Sequence, residues 1–378
     1  MDKITLPIKP LTEAVLLAVP VLASKPSMPV LGSVCVYAQG GSVFVKATDL
    51  ETTVILKVEG IETDLHLGFI LGRSDGVEVL KSLKSDFEEM EVKIKKGGIE
   101  LTTTTAAYKF STDPYTDYPI NIGLGSGEHN KVKVNKNILQ KIVDKFPSAA
   151  STDEMRPNMR GVNMRLESGL ISFCSTDTQQ MLYAKTTAFG LELKEQKNFL
   201  IPLKSLAILK KLLKEYDGDE VTVKYDKKYI QFSTDGFIMD SILIAHAFPN
   251  FLPIVQQPKP YVIEVENKAA LVKPLKRLLK STKTGFTDCS LDFGEVLTIE
   301  HKGFERRTSG KEQVAGIKAP ETFNISIKGD YLLNALEIYE GDRIDLAYST
   351  SRETVHIRGV GEKDEGLLAL IFPVMPTI

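Results

Sequence analysis

One order of elements recurs three times in this chain, and that recurrence constrains the fold more tightly than any single motif. Each copy carries a leucine-spaced helical pattern: GVEVLKSLKSD (76–86), PLKSLAILKKLLKEY (202–216) and YLLNALEIYEGD (331–342). A hairpin-like segment follows each helix. In EEMEVKIKKGGIELTTTT (88–105), Met90, Val92 and Ile94 alternate with polar residues up to a KKGG turn, after which Ile99 and Leu101 resume the alternation. EVTVKYDKKYIQFS (220–233) and RIDLAYSTSRETVHIR (343–358) repeat the scheme. An aromatic residue and a proline close every copy, as Tyr118-Pro119, Phe248-Pro249 and Phe372-Pro373. The prolines stand 130 and 124 residues apart, and Leu80, Leu209 and Leu336 of the helices stand 129 and 127 apart.

A further helical pattern opens each copy, at 9–19, 135–146 and 267–280. Pro10 suits a first turn. Pro274 lies between two helical turns, so a kink is expected there, or a helix that starts at Lys273. The glycine-rich INIGLGSGEHNK (120–131) and proline-rich PIVQQPKPY (253–261) read as linkers, which places domains at 1–124, 125–256 and 257–378. Two helices among many short strands make each copy α+β, with largely antiparallel sheet.

Composition narrows the function classes. With 43% apolar and 25% charged residues the chain is an ordinary globular sequence. The apolar run from Leu367 to Met375 is too short to span a membrane, and Asp2, Lys3 and Pro7 interrupt any leader-like core, so a cytoplasmic location is expected. Cys35, Cys174 and Cys289 are scattered, without paired spacing, and read as reduced core residues. The five histidines lack metal-type pairing, so no metal or other cofactor is expected.

Two strand-like runs end in the same dipeptide: VFVKATDLETTV carries Thr48-Asp49 and ISFCSTDTQQML carries Thr176-Asp177. Paired aspartates in duplicated frames suggest a carboxylate dyad. Such a dyad needs a glycine after Asp-Thr or Asp-Ser to bring the carboxylates together, whereas Leu50 and Thr178 follow here. The alternative is one turn used twice, each aspartate capping the backbone. The third copy reads EVLTIEHKGFERRT (295–308) and lacks the pair. No Walker-type phosphate loop is present.

Net charge is only −2, but its distribution is uneven. Taken with their flanks, the six helical windows (9–25, 72–86, 135–145, 202–216, 266–283 and 328–341) hold 19 basic and 10 acidic residues, leaving the remainder of the chain strongly acidic. Helices gathered on one side would make a surface that meets phosphates without reading bases.

SMPVLGSVCVYA (27–38), KATDLETTV (46–54), AFPNF (247–251) and the terminal VMPTI (374–378), set in three repeats, resemble the bacterial DNA polymerase III beta subunit, the sliding-clamp family, over the whole chain. The resemblance implies a DNA-clamp fold with helices lining a ring and antiparallel sheets outside, closed around duplex DNA by a head-to-tail homodimer. It implies no catalysis, and as partners a replicative polymerase and an ATP-dependent clamp loader. Carried over by position, the DNA contacts are Lys25, Arg73, Arg156 and Lys204. The partner-peptide pocket is Met159, Thr176, Met181, Pro249, Ile254, Val374, Met375 and Pro376. The dimer seam is Tyr108 and Phe110 against Leu278 and Leu279. Where the family has Gly-His-Arg-Leu after Thr-Asp, this chain has Thr178, Gln179, Gln180 and Met181, and its C-terminus lacks Met-Arg-Leu. A clamp-fold paralogue that binds partners without encircling DNA is the alternative.

Overall fold

The computed structural model describes residues 2–119, 123–125, 129–188, 191–281, 288–302, 309–317 and 319–374. Period-2 alternation becomes antiparallel ladder throughout them, and the leucine-spaced windows become helices. The first copy runs β1 (Asp2–Pro7), α1 (Ile8–Ala18), β2 (Ser33–Gln39), β3 (Gly41–Thr48), β4 (Thr52–Thr63), β5 (Gly68–Gly72), α2 (Gly76–Leu83), β6 (Glu89–Lys95), β7 (Gly98–Thr102) and β8 (Ala107–Ser111).

The second runs β9 (Asn130–Asn135), α3 (Lys136–Lys145), β10 (Gly161–Glu167), β11 (Leu170–Thr176), β12 (Gln180–Thr187), β13 (Lys197–Pro202), α4 (Leu203–Glu215), β14 (Glu220–Tyr225), β15 (Tyr229–Ser233) and β16 (Phe237–Ile242). A single-turn α5 (Leu252–Val255) precedes the third: β17 (Tyr261–Val265), α6 (Ala269–Ser281), β18 (Asp288–Phe293), β19 (Leu297–Lys302), β20 (Ser309–Val314), β21 (Phe323–Lys328), α7 (Gly329–Glu337), β22 (Ile344–Tyr348), β23 (Val355–Gly359) and β24 (Leu367–Ile371). Each copy is therefore one strand, a helix, four strands, a helix and three strands.

By spatial clustering the chain divides into two compact units, residues 1–143 with 201–245, and residues 144–200 with 246–378. The first holds a four-stranded sheet ordered β1-β6-β7-β8 and an eight-stranded sheet ordered β5-β2-β3-β4-β16-β15-β14-β9. The second holds an eight-stranded sheet ordered β13-β10-β11-β12-β24-β23-β22-β17 and a four-stranded sheet ordered β20-β19-β18-β21. Both eight-stranded sheets join neighbouring copies through one strand pair, β4 with β16 and β12 with β24.

Helix faces supply the cores. Leu11 and Val15 of α1 are fully buried where the helix lies on β3, β4 and α2. Leu271, Leu275 and Leu278 of α6 are buried where it meets α7 and β20. Each such leucine removed from water stabilises the fold by roughly 2 kcal/mol. α6 begins at Ala269 and continues through Pro274, so the start expected at Lys273 is not found. Pro274 lies in the second turn, where the missing N–H forfeits only one intrahelical bond, and its ring is buried with the leucines. All three cysteines are free and buried, and burial pushes the Cys35 and Cys289 thiols up to about 12. Among the described residues, no helix is long and apolar enough to cross a membrane, and no His, Cys, Asp or Glu cluster could hold a metal ion.

Candidate partner-binding site

The two Thr-Asp dipeptides form the same turn. In the first, Asp49 Oδ1 accepts from the N–H groups of Glu51 (3.0 Å) and Thr52 (2.7 Å). Thr48 Oγ1 accepts from Leu50 N (3.1 Å) and donates to Thr52 O (3.2 Å). In the second, Asp177 Oδ1 accepts from Gln179 N (2.8 Å) and Gln180 N (3.0 Å), while Thr176 Oγ1 accepts from Thr178 N (3.1 Å) and donates to Gln180 O (2.7 Å). The third residue of each turn is forced to positive φ: Leu50 at 76° and Thr178 at 83°, the only non-glycine residues so placed among the described residues. Each aspartate is thus a backbone cap, and the dyad reading falls away.

Each turn also meets a helix that opens more than 150 residues later in the chain. Lys204, near the start of α4, forms an ion pair with Asp49 Oδ2. Tyr331, near the start of α7, hydrogen-bonds Asp177; burial and that carboxylate push its hydroxyl pKa up.

The strands leaving the two turns carry different chemistry. On the second eight-stranded sheet, ladder register aligns Thr176, Met181, Leu370 and His356 in one row, and Cys174, Tyr183, Leu368 and Arg358 in the next. Both rows are on one face. Cys174, Met181, Tyr183, Leu368 and Leu370 form an apolar floor together with buried Phe251. The segment from Phe248 to Val255 covers it: Phe248 meets Phe251 edge-on at 5.9 Å, Phe251 meets Tyr183 at 5.8 Å, and Leu252, Ile254 and Val255 are half-buried above. His356 is completely buried, and burial beside Lys259 and Arg358 pushes its pKa down to about 4. Beyond α5, Lys259 is almost wholly buried and donates to Gln257 Oε1 (3.0 Å) and Glu353 Oε2 (3.2 Å), which ties the covering segment to the sheet.

Of the pocket candidates, Thr176 pairs with Met181 across the ladder and Ile254 packs against the cluster that holds Met181. Pro249 lies in the same covering segment, half-buried. Met159 is half-buried on a turn whose carbonyl accepts from Ser151 N (3.0 Å). Val374 is held by its N–H on Ser326 O (2.7 Å). Met375 and Pro376 lie outside the described residues. Tyr183, Phe251, Leu368 and Leu370 were not foreseen. Their signal was the period-2 continuation of Met181 to Tyr183 and the Leu-Ala-Leu of β24, which face Met181 only once β12 and β24 are paired.

Of the cationic candidates, Lys25 and Arg73 are exposed, Arg73 just ahead of the Asp75 cap of α2. Arg156 lies on the rim of the second turn. Its guanidinium donates to Thr178 Oγ1 (3.0 Å) and pairs with Asp153 (3.4 Å). Basic charge is concentrated on three helices: α3, α4 and α6 carry three, four and four basic residues against one, one and none acidic. Part of it is neutralised locally, since Arg277 holds Glu312 with two 2.8 Å bonds and Lys276 holds Glu337 at 2.6 Å.

Tyr108 and Phe110 stand half-buried on one face of β8, an edge strand with one unpaired side. Leu278 is buried against β20 of its own chain, where a Cβ on Gly310 would come within 2.6 Å of it, while Leu279 is half-buried.

Residues 133–250 match the family model described as DNA polymerase III beta subunit, central domain. The beta sliding clamp of Bacillus subtilis (strain 168) is 23% identical, over 96% of this chain and 97% of its own length. The crystal structure of the Bacillus subtilis DNA polymerase sliding clamp superposes with a TM-score of 0.87 at 21% identity, covering 99% of both chains. That of the Thermotoga maritima DNA polymerase III beta subunit gives 0.85 at 21% identity, covering 99% of this chain and all of the other.

Proposed function

The chain is a divergent member of the DNA polymerase III beta-subunit family, and from that premise we propose that it is a non-catalytic sliding clamp. It encircles duplex DNA as a head-to-tail homodimer of three repeats per chain (1–124, 125–256, 257–378). The observation that carries this reading is the likeness to sliding clamps from end to end of the chain. The positive charge concentrated on α3, α4 and α6 supports the DNA part of it. Lysine and arginine side chains meeting phosphates give attraction without sequence preference, and a modest number of them leaves the barrier to sliding low. Lys25 and Arg73 join this surface. Lys204 serves it only when it leaves Asp49, and Arg156 belongs instead to the rim of the partner pocket.

The apolar floor around Met181 and its cover at Phe248–Val255 take an apolar segment of a replicative polymerase or other DNA-processing protein. Holding that partner next to the template raises its local concentration, so processivity comes from tethering and not from chemistry. A closed ring needs an ATP-dependent loader to open it, and this chain carries no nucleotide loop of its own. The open edge of β8, with Tyr108 and Phe110, meets the α6 and β20 region of a second copy through Leu279. A cytoplasmic location accords with this role.

Loading on nicked circular DNA tests the proposal. The protein should stay bound through a high-salt wash and leave when the circle is linearised. Loss during the wash would overturn the encircling mode and leave a partner-binding paralogue.

A further inference from the structure

The apolar floor does not end at the pocket. We propose that a cleft continuous with it forms a second binding groove, which takes the basic residues flanking a partner's apolar anchor; this rests on the pocket reading above. The cleft has a volume of about 730 Å³, and none of the described pocket candidates lines it. Its floor is the second row of the sheet, continued: Tyr183, Leu368, Arg358 and Asp345 are successive register partners across β12, β24, β23 and β22. Tyr183, Leu368, Leu252 and Val255 belong to both the pocket cluster and the cleft. Tyr183 follows Met181 by two residues on β12, so the floor of the cleft adjoins that of the pocket on one face of the sheet.

One lip of the cleft is α5 and Gln256, and the other is the 359–366 loop. That loop is preformed. Buried Asp364 accepts from Glu340 N and Gly341 N, both at 2.9 Å, and a Cβ on Gly359 would come within 2.4 Å of the Asp364 side chain. The occupant is argued from charge. Arg358 and Asp345 stand directly across the ladder from each other and compensate. Asp364 is committed to the backbone, and exposed Glu362 and Glu365 outnumber Lys363 on the far lip, with Lys185 the other cation lining the cleft besides the compensated Arg358. An apolar side chain over Tyr183 and Leu368 with a lysine or arginine next to it, against the two glutamates, fits this order.

Fluorescence anisotropy on the full chain tests it with three labelled peptides: a leucine–phenylalanine anchor alone, the same anchor flanked by lysines, and the same anchor flanked by glutamates. The lysine-flanked peptide should bind roughly three- to ten-fold tighter than the glutamate-flanked one at low salt, as expected for one or two rim pairs. The double substitution Glu362→Lys and Glu365→Lys should invert that order while leaving the bare anchor unchanged. Equal binding of the two flanked peptides, or no inversion, overturns the groove. The pocket reading has a separate failure: Met181→Lys, and Ile254→Glu as a half-buried second variant that spares the core, should abolish binding of all three. If both leave binding intact, the pocket falls. If the glutamate reversal changes the sedimentation of the chain without peptide, the groove holds a second copy and the proposal is wrong.

Discussion

The two eight-stranded sheets present the same row of positions after the same turn and fill it with opposite chemistry. On the second sheet the row reads Thr176, Met181, Leu370 and His356. On the first it reads Thr48, Thr53, Asp240 and Gln231. Thr53 is bonded to Thr48 Oγ1 at 2.7 Å, and buried Asp240 accepts from Gln231 Nε2 (3.0 Å) and from Leu124 N (3.2 Å). Cys174 has Lys46 as its counterpart, also buried. Gly123, at φ 120°, lies so close that a Cβ would come within 2.4 Å of the Asp240 carboxyl carbon. Tyr118 completes the closure, accepting from Thr48 N (3.1 Å) and donating to Ser33 O (3.0 Å). A satisfied buried network offers nothing to an outside ligand, whereas an apolar floor under a half-buried cover does. The repeat supplies two equivalent places, and side-chain polarity decides which of them is suited to take an outside ligand.

Crossing the two chemistries should break this contrast most severely. Leu370→Asp places a carboxylate in the apolar floor and should cost about 4 kcal/mol in urea unfolding, with loss of peptide binding. Asp240→Leu should cost about 2 kcal/mol through the unpartnered Gln231 amide and Leu124 N–H, and should leave peptide binding intact.

Acid should separate the faces next. His356 binds its proton more weakly folded than unfolded, so the stability it lends is complete above about pH 6.5 and is lost as pH falls toward about 4. That loss should approach about 3 kcal/mol and disappear in His356→Leu, read as Tm against pH. Burial raises the Asp240 pKa, so its contribution has the opposite sign. Its cost at neutral pH shrinks as pH falls into the window just above 3.8, and Asp240→Asn should remove that slope.

The turns themselves sharpen the comparison on a smaller scale. Removing the cap with Asp177→Ala should cost about 1 kcal/mol, and Asp49→Ala about 2 kcal/mol because Lys204 also loses its partner. Smallest is the relief of backbone strain. Leu50→Gly should stabilise by a few tenths to about 1 kcal/mol in thermal melts. Thr178→Gly should gain less, since it gives up the hydroxyl that holds Arg156. Equal gains would mean that the Arg156 contact contributes nothing.

The repeat and its elements were legible in the sequence because both are periodic: helix spacing, strand alternation and the closing aromatic-Pro pair each need only local residues. The Thr-Asp turns were legible as a pair for the same reason. The joining of β4 to β16 and of β12 to β24 was not, since pairing between strands far apart in sequence leaves no local mark. Without it, the counterpart of Met181 could not be recognised as Thr53, nor that of Leu370 as Asp240. The part of the apolar cluster contributed by β24 was missed accordingly. The hydrogen bond of Arg156 to Thr178 was not legible either, because the two residues lie 22 positions apart and meet only through the fold. A helix through Pro274 was legible only in part, because a proline early in a helix differs from a helix-breaking one by a single turn of phase.

The sharing of strands between copies sets an order on synthesis. The first eight-stranded sheet needs strands from β2 to β16, and the second needs strands from β10 to β24. As the chain leaves the ribosome, the first sheet cannot close until residue 242 has emerged, and the second must wait for residue 371. Until then β12 offers Met181 and Tyr183 along an unpaired edge, since its partner β24 lies some 180 residues further along the chain. The apolar edge of β12, like that of β4 before β16 emerges, is thus open to wrong pairing while the chain is being made.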